Sequence, residues 1–94
     1  MNLKDKVVVI TGGASGLGQA TARYMVNEKG AKVALLDLNA EAGAETVAEL
    51  GEESAIFCQT DVTSEESIDT AIAVIMDKFG AIHVDINAAG IPLP

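Results

Sequence analysis

The residues whose types and spacing point most directly to chemistry lie in Thr11-Gly12-Gly13-Ala14-Ser15-Gly16-Leu17-Gly18. Four aliphatics, Val7-Val8-Val9-Ile10, precede this stretch, and a helical pattern, Gln19-Ala20-Thr21-Ala22-Arg23-Tyr24-Met25-Val26, follows it. A strand, a glycine turn and a helix N-terminus together aim backbone N–H groups at a phosphate. Glycine meets three needs there: a tight turn, close approach of backbone to a pyrophosphate, and close packing of helix on strand. The stretch is a candidate dinucleotide site.

Three further groups agree with that chemistry. Asp37 ends a second apolar run 19 residues after Gly18, and a carboxylate about 20 residues on, at a strand end, suits the adenine ribose hydroxyls. It would repel a 2′-phosphate, and neither Ala14 nor Leu38-Asn39 offers a cation to neutralise one. The expected cofactor is therefore NAD rather than NADP. Asp61-Val62 closes a third strand, where Asp61 could accept from the adenine amino group and Val62 could wall the ring. Asn87-Ala88-Ala89-Gly90 closes a fourth, with small residues that let the backbone pass close to a cofactor and an amide that can tie neighbouring strands together. In a parallel sheet, all these strand ends fall on one edge.

The elements that must position these groups follow from periodicity and caps. Strands are predicted at Lys6–Thr11, Ala31–Asp37, Ser54–Thr60 and Ile82–Asn87. Helices are predicted at Gly16–Lys29, stopped by Gly30, and at Ala40–Leu50, capped by Asn39 and ended by Gly51. A third helix, through Phe79 to a stop at Gly80, opens with Thr63 as N-cap and Glu66 completing a capping box. Its expected buried stripe is Ile68, Ile72, Ile75, Met76 and Phe79. The order βαβαβαβ with short links implies an α/β fold, a partial doubly wound parallel sheet with right-handed crossovers. About four strands and three helices are expected, within one dinucleotide-binding domain over residues 1–94.

Composition agrees. Apolar residues make up 49% and aromatics 3%, an aliphatic core suited to a sheet covered by helices. Six basic against fourteen acidic residues give a net charge of −8, which argues against a nucleic-acid or anionic-membrane surface. Cys58 is the only cysteine, so no disulfide frame or thiolate metal cluster is expected, and a buried hydrophobic role suits it. His83 is the only histidine and has no cysteine or histidine cluster around it, so a structural role suits it better than metal ligation. No stretch approaches the ~18–20 apolar residues of a membrane span, and the N-terminus shows no leader pattern, so a cytoplasmic location is expected.

Taken together, TGGASGLG, Asp37, Asp61-Val62 and Asn87-Ala88-Ala89-Gly90 resemble the N-terminal, cofactor-binding part of the short-chain dehydrogenase/reductase family. The spacing TGxxxGxG differs from the GxGxxG of long-chain Rossmann enzymes. Within the family, ITGGASGLG, LLDL, DVTSE, KFG and the AGI after Asn87 are most similar to the type-2 3-hydroxyacyl-CoA dehydrogenases, over about Lys4 to Ile91. The resemblance implies that Gly12, Ser15, Gly16, Leu17 and Gly18 line the pyrophosphate and the nicotinamide-side ribose. It implies that Asp37, with Leu38 beside it, holds the adenosine ribose, that Asp61 and Val62 hold the adenine, and that Asn87, Ala88 and Gly90 hold the middle of the cofactor. The implied reaction is hydride transfer between NAD(H) and a secondary alcohol or ketone.

The family's catalytic Ser, Tyr and Lys would fall beyond the fourth strand. Tyr24 and Lys29 do not form a YxxxK pair, so the chain by itself is expected to be inactive. A non-catalytic dinucleotide-binding or interaction module is the alternative. Two departures from the family pattern stand out. A methyl replaces a larger side chain at Ala88, and Asp85 sits mid-strand where an aliphatic is usual, so it needs either a partner or an unburied face. In the strand order 3-2-1-4 that the resemblance implies, strand four would be left as a bare edge, which favours homo-oligomers.

Overall fold

The computed structural model describes residues 2–88; Met1, Ala89, Gly90 and residues 91–94 lie outside that range, and the expectation for Gly90 lies with them. The elements are β1 (Val7–Thr11), α1 (Gly16–Asn27), β2 (Lys32–Asp37), α2 (Ala40–Leu50), β3 (Ala55–Gln59), α3 (Glu65–Phe79) and β4 (Val84–Asn87). All strands pair in parallel, in the order β3-β2-β1-β4. This is the expected α/β Rossmann-like arrangement, with strand limits one or two residues inside those read from the sequence.

The core has two halves, one on each face of the sheet. Val8, Ile10, Val33 and Leu35 pack with Ala22, Met25 and Val26 of α1 and Val47 and Leu50 of α2. Val7, Val9, Ala34 and Leu36 pack with Ala71, Ile75 and Phe79 of α3. Because β1 and β2 are covered on both sides, they carry unbroken aliphatic runs rather than an alternating pattern. Cys58 belongs to the second cluster, and burial pushes its thiol pKa up, as suits a small hydrophobe.

Local signals place most helix ends. Asn39 Oδ1 accepts from Ala42 N at 3.1 Å to cap α2. Gly51 and Gly80, with φ of 95° and 78°, end α2 and α3. Helix α1 stops earlier than expected, at Asn27 with Glu28 as its cap. Gly30 (φ 68°) instead makes the reversal two residues later, its N–H reaching Val26 O at 3.2 Å.

Two expectations for α3 are corrected. Its N-cap is Ser64, whose Oγ accepts from Ser67 N at 3.2 Å, and not Thr63. Thr63 is drawn away because its N–H and hydroxyl both donate to Asp61 Oδ1. The buried face is centred on Ala71 and Ile75, flanked by half-buried Ile68 and Phe79, while Ile72 and Met76 are 41% and 44% exposed. A stripe written from hydrophobicity alone is too wide by one flank, and nothing among the described residues covers that flank. Asp85 is exposed for the same reason: it pairs with Val9 in the register of an outermost strand, on a face left open. Its carboxylate therefore avoids the desolvation cost of a core position.

Replacing Ser64 by Ala should lower stability by about 1 kcal/mol through loss of the cap. Thr63→Ala should change it by less than about 0.5 kcal/mol. Urea unfolding midpoints of the two variants decide the matter; an equal or larger loss at Thr63 would return the cap to that residue.

Candidate functional site

At the C-terminal edge of the sheet the chain turns sharply from β1 into α1. Gly12 adopts φ 71°, open to glycine at little cost. Its N–H and that of Gly13 both reach Leu36 O, at 2.7 and 3.2 Å. Ser15 closes the turn: its hydroxyl donates to Gly12 O at 2.6 Å and accepts from Gly18 N at 3.0 Å as the N-cap of α1. A Cβ on Gly18 would collide with the Gly12 carbonyl and the Gly13 backbone, so the third glycine of the motif is required by close packing.

Gly16 behaves differently. A Cβ there would meet nothing within 4 Å, so the protein's own packing does not explain a glycine at this position. The amides of Gly16 and Leu17 lie in the first turn of α1, where no helical carbonyl precedes them to accept. The first turn of α1 carries no acidic residue, whereas α2 has Glu41 and α3 has Glu65 and Glu66 there. Its positive end is therefore not neutralised by a side chain of its own first turn.

Asp37 ends β2 beside this turn. Its Oδ2 accepts from Ala14 N at 3.1 Å and its Oδ1 from Asn39 N at 3.0 Å, so the carboxylate bridges the glycine turn to the start of α2. Each oxygen keeps a lone pair for a further donor. Gly12, Ser15, Leu36, Asp37, Leu38, Thr60, Asp61, Val62 and Thr63 line a groove of about 310 Å³. Leu38 and Val62 present exposed apolar surface at 64% and 37%. Thr63, through its hydroxyl and then its amide, holds the Asp61 carboxyl below the usual carboxylate range, so it is ionised at neutral pH. The groove lining contains two carboxylates and no Lys or Arg.

β4 brings its end to the other side of the turn. Ala88 is buried; its N–H donates to Thr11 O at 2.8 Å, and its carbonyl lies 3.4 Å from Ser15 Oγ. Thr11 Oγ1 lies 3.2 Å from Asn87 Oδ1 and 3.3 Å from Ile86 O, so the Asn amide does tie neighbouring strands. The structure thus gathers Gly12, Ser15, Gly16, Leu17, Gly18, Asp37, Leu38, Asp61, Val62, Asn87 and Ala88 at one edge. Sequence reasoning gave no role to Thr11 or to the Ala14 amide, which join the gathered pieces. Neither carries a local signal, because their partners lie 76 and 23 residues away.

Larger concavities of about 460 and 540 Å³ lie along β3, beside α3 and α2. Neither contains the glycine turn or a strand-end carboxylate, so size does not select the site here. Among the described residues no three His, Cys, Asp or Glu side chains are grouped to hold a metal, and no helix is long and apolar enough to cross a membrane. His83 Nδ1 accepts from Val7 N at 2.9 Å.

The contrast between the two glycines of α1 is testable. Gly18→Ala should destabilise the fold by about 2 kcal/mol or more, because backbone must move. Gly16→Ala should be neutral or stabilising by up to about 1 kcal/mol. Thermal and urea unfolding measure both, and equal losses would refute the assignment of distinct roles.

A family model described as short chain dehydrogenase matches residues 6–94. The chain is 47% identical over 90 residues to the human 3-hydroxyacyl-CoA dehydrogenase type-2, covering 96% of this chain and 34% of that protein. It is 44% identical over 92 residues to the 3-beta-hydroxysteroid dehydrogenase of Comamonas testosteroni, covering 98% and 35%. Among solved structures, a short chain dehydrogenase/reductase from Burkholderia phymatum in complex with NAD superposes with a TM-score of 0.84 at 31% identity, over 90% of this chain and 31% of that one. The chain spans about a third of the length of the relatives it matches. With the glycine turn, the strand order and the family match in agreement, the chain belongs to the short-chain dehydrogenase family.

Proposed function

We propose that these residues form the NAD(H)-binding portion of an oxidoreductase that moves a hydride between nicotinamide and a secondary alcohol or ketone. The observation that carries this reading is the joining, in one groove, of the Asp37 carboxylate to a glycine turn whose next helix opens toward empty space at Gly16. The residues present suit a dinucleotide: an unneutralised helix N-terminus for the pyrophosphate and a carboxylate for ribose hydroxyls, with apolar surface at Leu38 and Val62 for a base. Two of the relatives are named for 3-hydroxyacyl-CoA and 3-beta-hydroxysteroid substrates. Both names denote hydroxyl-bearing substrates, which supports the alcohol–ketone class.

The bound cofactor would supply the site of hydride acceptance or donation. The chain's own residues bind and orient it. Gly16 and Leu17 amides face the pyrophosphate, and Gly12 and Ser15 keep that turn closed. Asp37 accepts from the adenosine ribose, and its charge repels a 2′-phosphate. Asp61, already ionised, accepts from the adenine amino group beside Val62. Asn87 and Ala88 bound the central stretch. No proton-transfer role falls to Tyr24, which is half exposed on α1 with the Lys29 ammonium 5.5 Å from its ring centre. The share of the reaction carried by these residues is therefore binding, and turnover by them alone is not expected.

Three outcomes follow from this reading. Calorimetric titration should show NAD bound on the order of a hundredfold more tightly than NADP, as a like-charge clash of several kcal/mol requires. Asp37→Ala should narrow that ratio to about tenfold or less; an unchanged preference would remove Asp37 from the site. Gly16→Ala, although folded, should weaken NAD binding by at least about tenfold, because its methyl occupies the approach to the first amides of α1. If residues 1–94 alone oxidised secondary alcohols, followed by nicotinamide absorbance, the binding-only role of these residues would be wrong.

A further inference from the structure

The outermost strand carries two of the site's residues yet has a single close neighbour. β4 is four residues long and packs against β1. Its register matters to the site because Asn87 and Ala88 lie at its end. Parallel pairing sets Val8 against Val84, Val9 against Asp85, Ile10 against Ile86 and Thr11 against Asn87. A slip of one residue would turn every side chain to the other face and carry Asn87 away from Thr11. β4 has no second strand beside it among the described elements; Val84 and Ile86 pack on the α1-side core, and bonds at the two ends of the strand add to that hold on the register.

Side chains hold it at both ends. At the end near the site, Thr11 Oγ1 reaches Asn87 Oδ1 and Ile86 O, and Ala88 N reaches Thr11 O. At the opposite end, His83 takes both polar groups of buried Val7. Its backbone N–H donates to Val7 O at 2.9 Å, and its ring Nδ1 accepts the Val7 N–H at 2.9 Å. Nδ1 therefore carries no proton, and the proton of the neutral ring sits on Nε2. Leaving the N–H of a buried β1 residue without an acceptor would cost a large part of the pairing that β4 makes.

We propose that His83 is a positioning residue of the cofactor site: its Nδ1 substitutes for a ladder acceptor, fixes the register of β4, and so places Asn87 and Ala88 against the Thr11–Ser15 turn. The inference rests on the dinucleotide reading above and adds a residue at the far end of the sheet to it.

Side-chain reach gives a sharp test. The oxygen of Asn lies about as far from its Cβ as Nδ1 does, whereas the oxygen of Gln lies one carbon further out. His83→Asn should keep NAD affinity within about threefold of the parent protein, and His83→Gln should weaken it about tenfold or more, through loss of the acceptor of the part-buried Val7 N–H. Amide hydrogen exchange supplies a readout independent of the cofactor. The Val7 and Ala88 amides should stay protected in His83→Asn and exchange faster in His83→Gln. If His83→Gln matched the parent, or His83→Asn, folded or not, behaved as poorly as His83→Gln, the proposal would be overturned. Failure of the parent protein to bind NAD would instead refute the dinucleotide reading, while the exchange of the two amides would still decide the role of His83.

Discussion

The first turn of α1 presses on the Gly12 carbonyl so closely that no Cβ fits at Gly18, and the rest of the site is arranged around that contact. It sets the angle at which α1 leaves β1. The Ser15 hydroxyl then satisfies the Gly12 carbonyl and the Gly18 amide together. With those groups paired internally, the amides at Gly16 and Leu17 remain at the open end of the helix. The site is thus made by backbone geometry, and few side chains are needed to build it.

Electrostatics then shape what the opening can accept. A chain of net charge −8 is a poor partner for polyanions in general, yet this one presents a helix N-terminus bare of acids. Negative charge is held a short distance away, at Asp37 and Asp61, where backbone amides and the Thr63 hydroxyl stabilise it. In the reading proposed above, one anionic group would be accepted at the turn and a second discouraged at Asp37. Discrimination of that kind comes from the spacing of unlike charges, and net charge alone could not supply it.

The open side of the sheet explains the residues that looked out of place. Asp85 sits where an aliphatic would suit a covered strand, and Ile72 and Met76 are apolar but exposed. Asp85 is in register with Val9 of the α3-side cluster, and Ile72 and Met76 lie on a flank of α3 itself, where the described residues provide no cover. An edge strand in that setting depends on specific bonds, and His83 and Thr11 provide them at its two ends.

By itself the sequence determined the kinds of element, their order, and the candidate residues at the strand ends. Aliphatic runs, helix caps at Asn39, Gly51 and Gly80, and the glycine spacing all act within a few residues, so a local window contains them. Strand order came with the family resemblance, since right-handed crossovers fix handedness and leave several orders open. Tertiary structure decided the rest. It chose Ser64 over Thr63 as a cap because Asp61 competes for Thr63, and it chose which flank of α3 is buried. It also paired Val7 with His83 and Thr11 with Asn87, each 76 residues apart. Such bonds depend on register across the sheet, and register exists only once the strands are brought together.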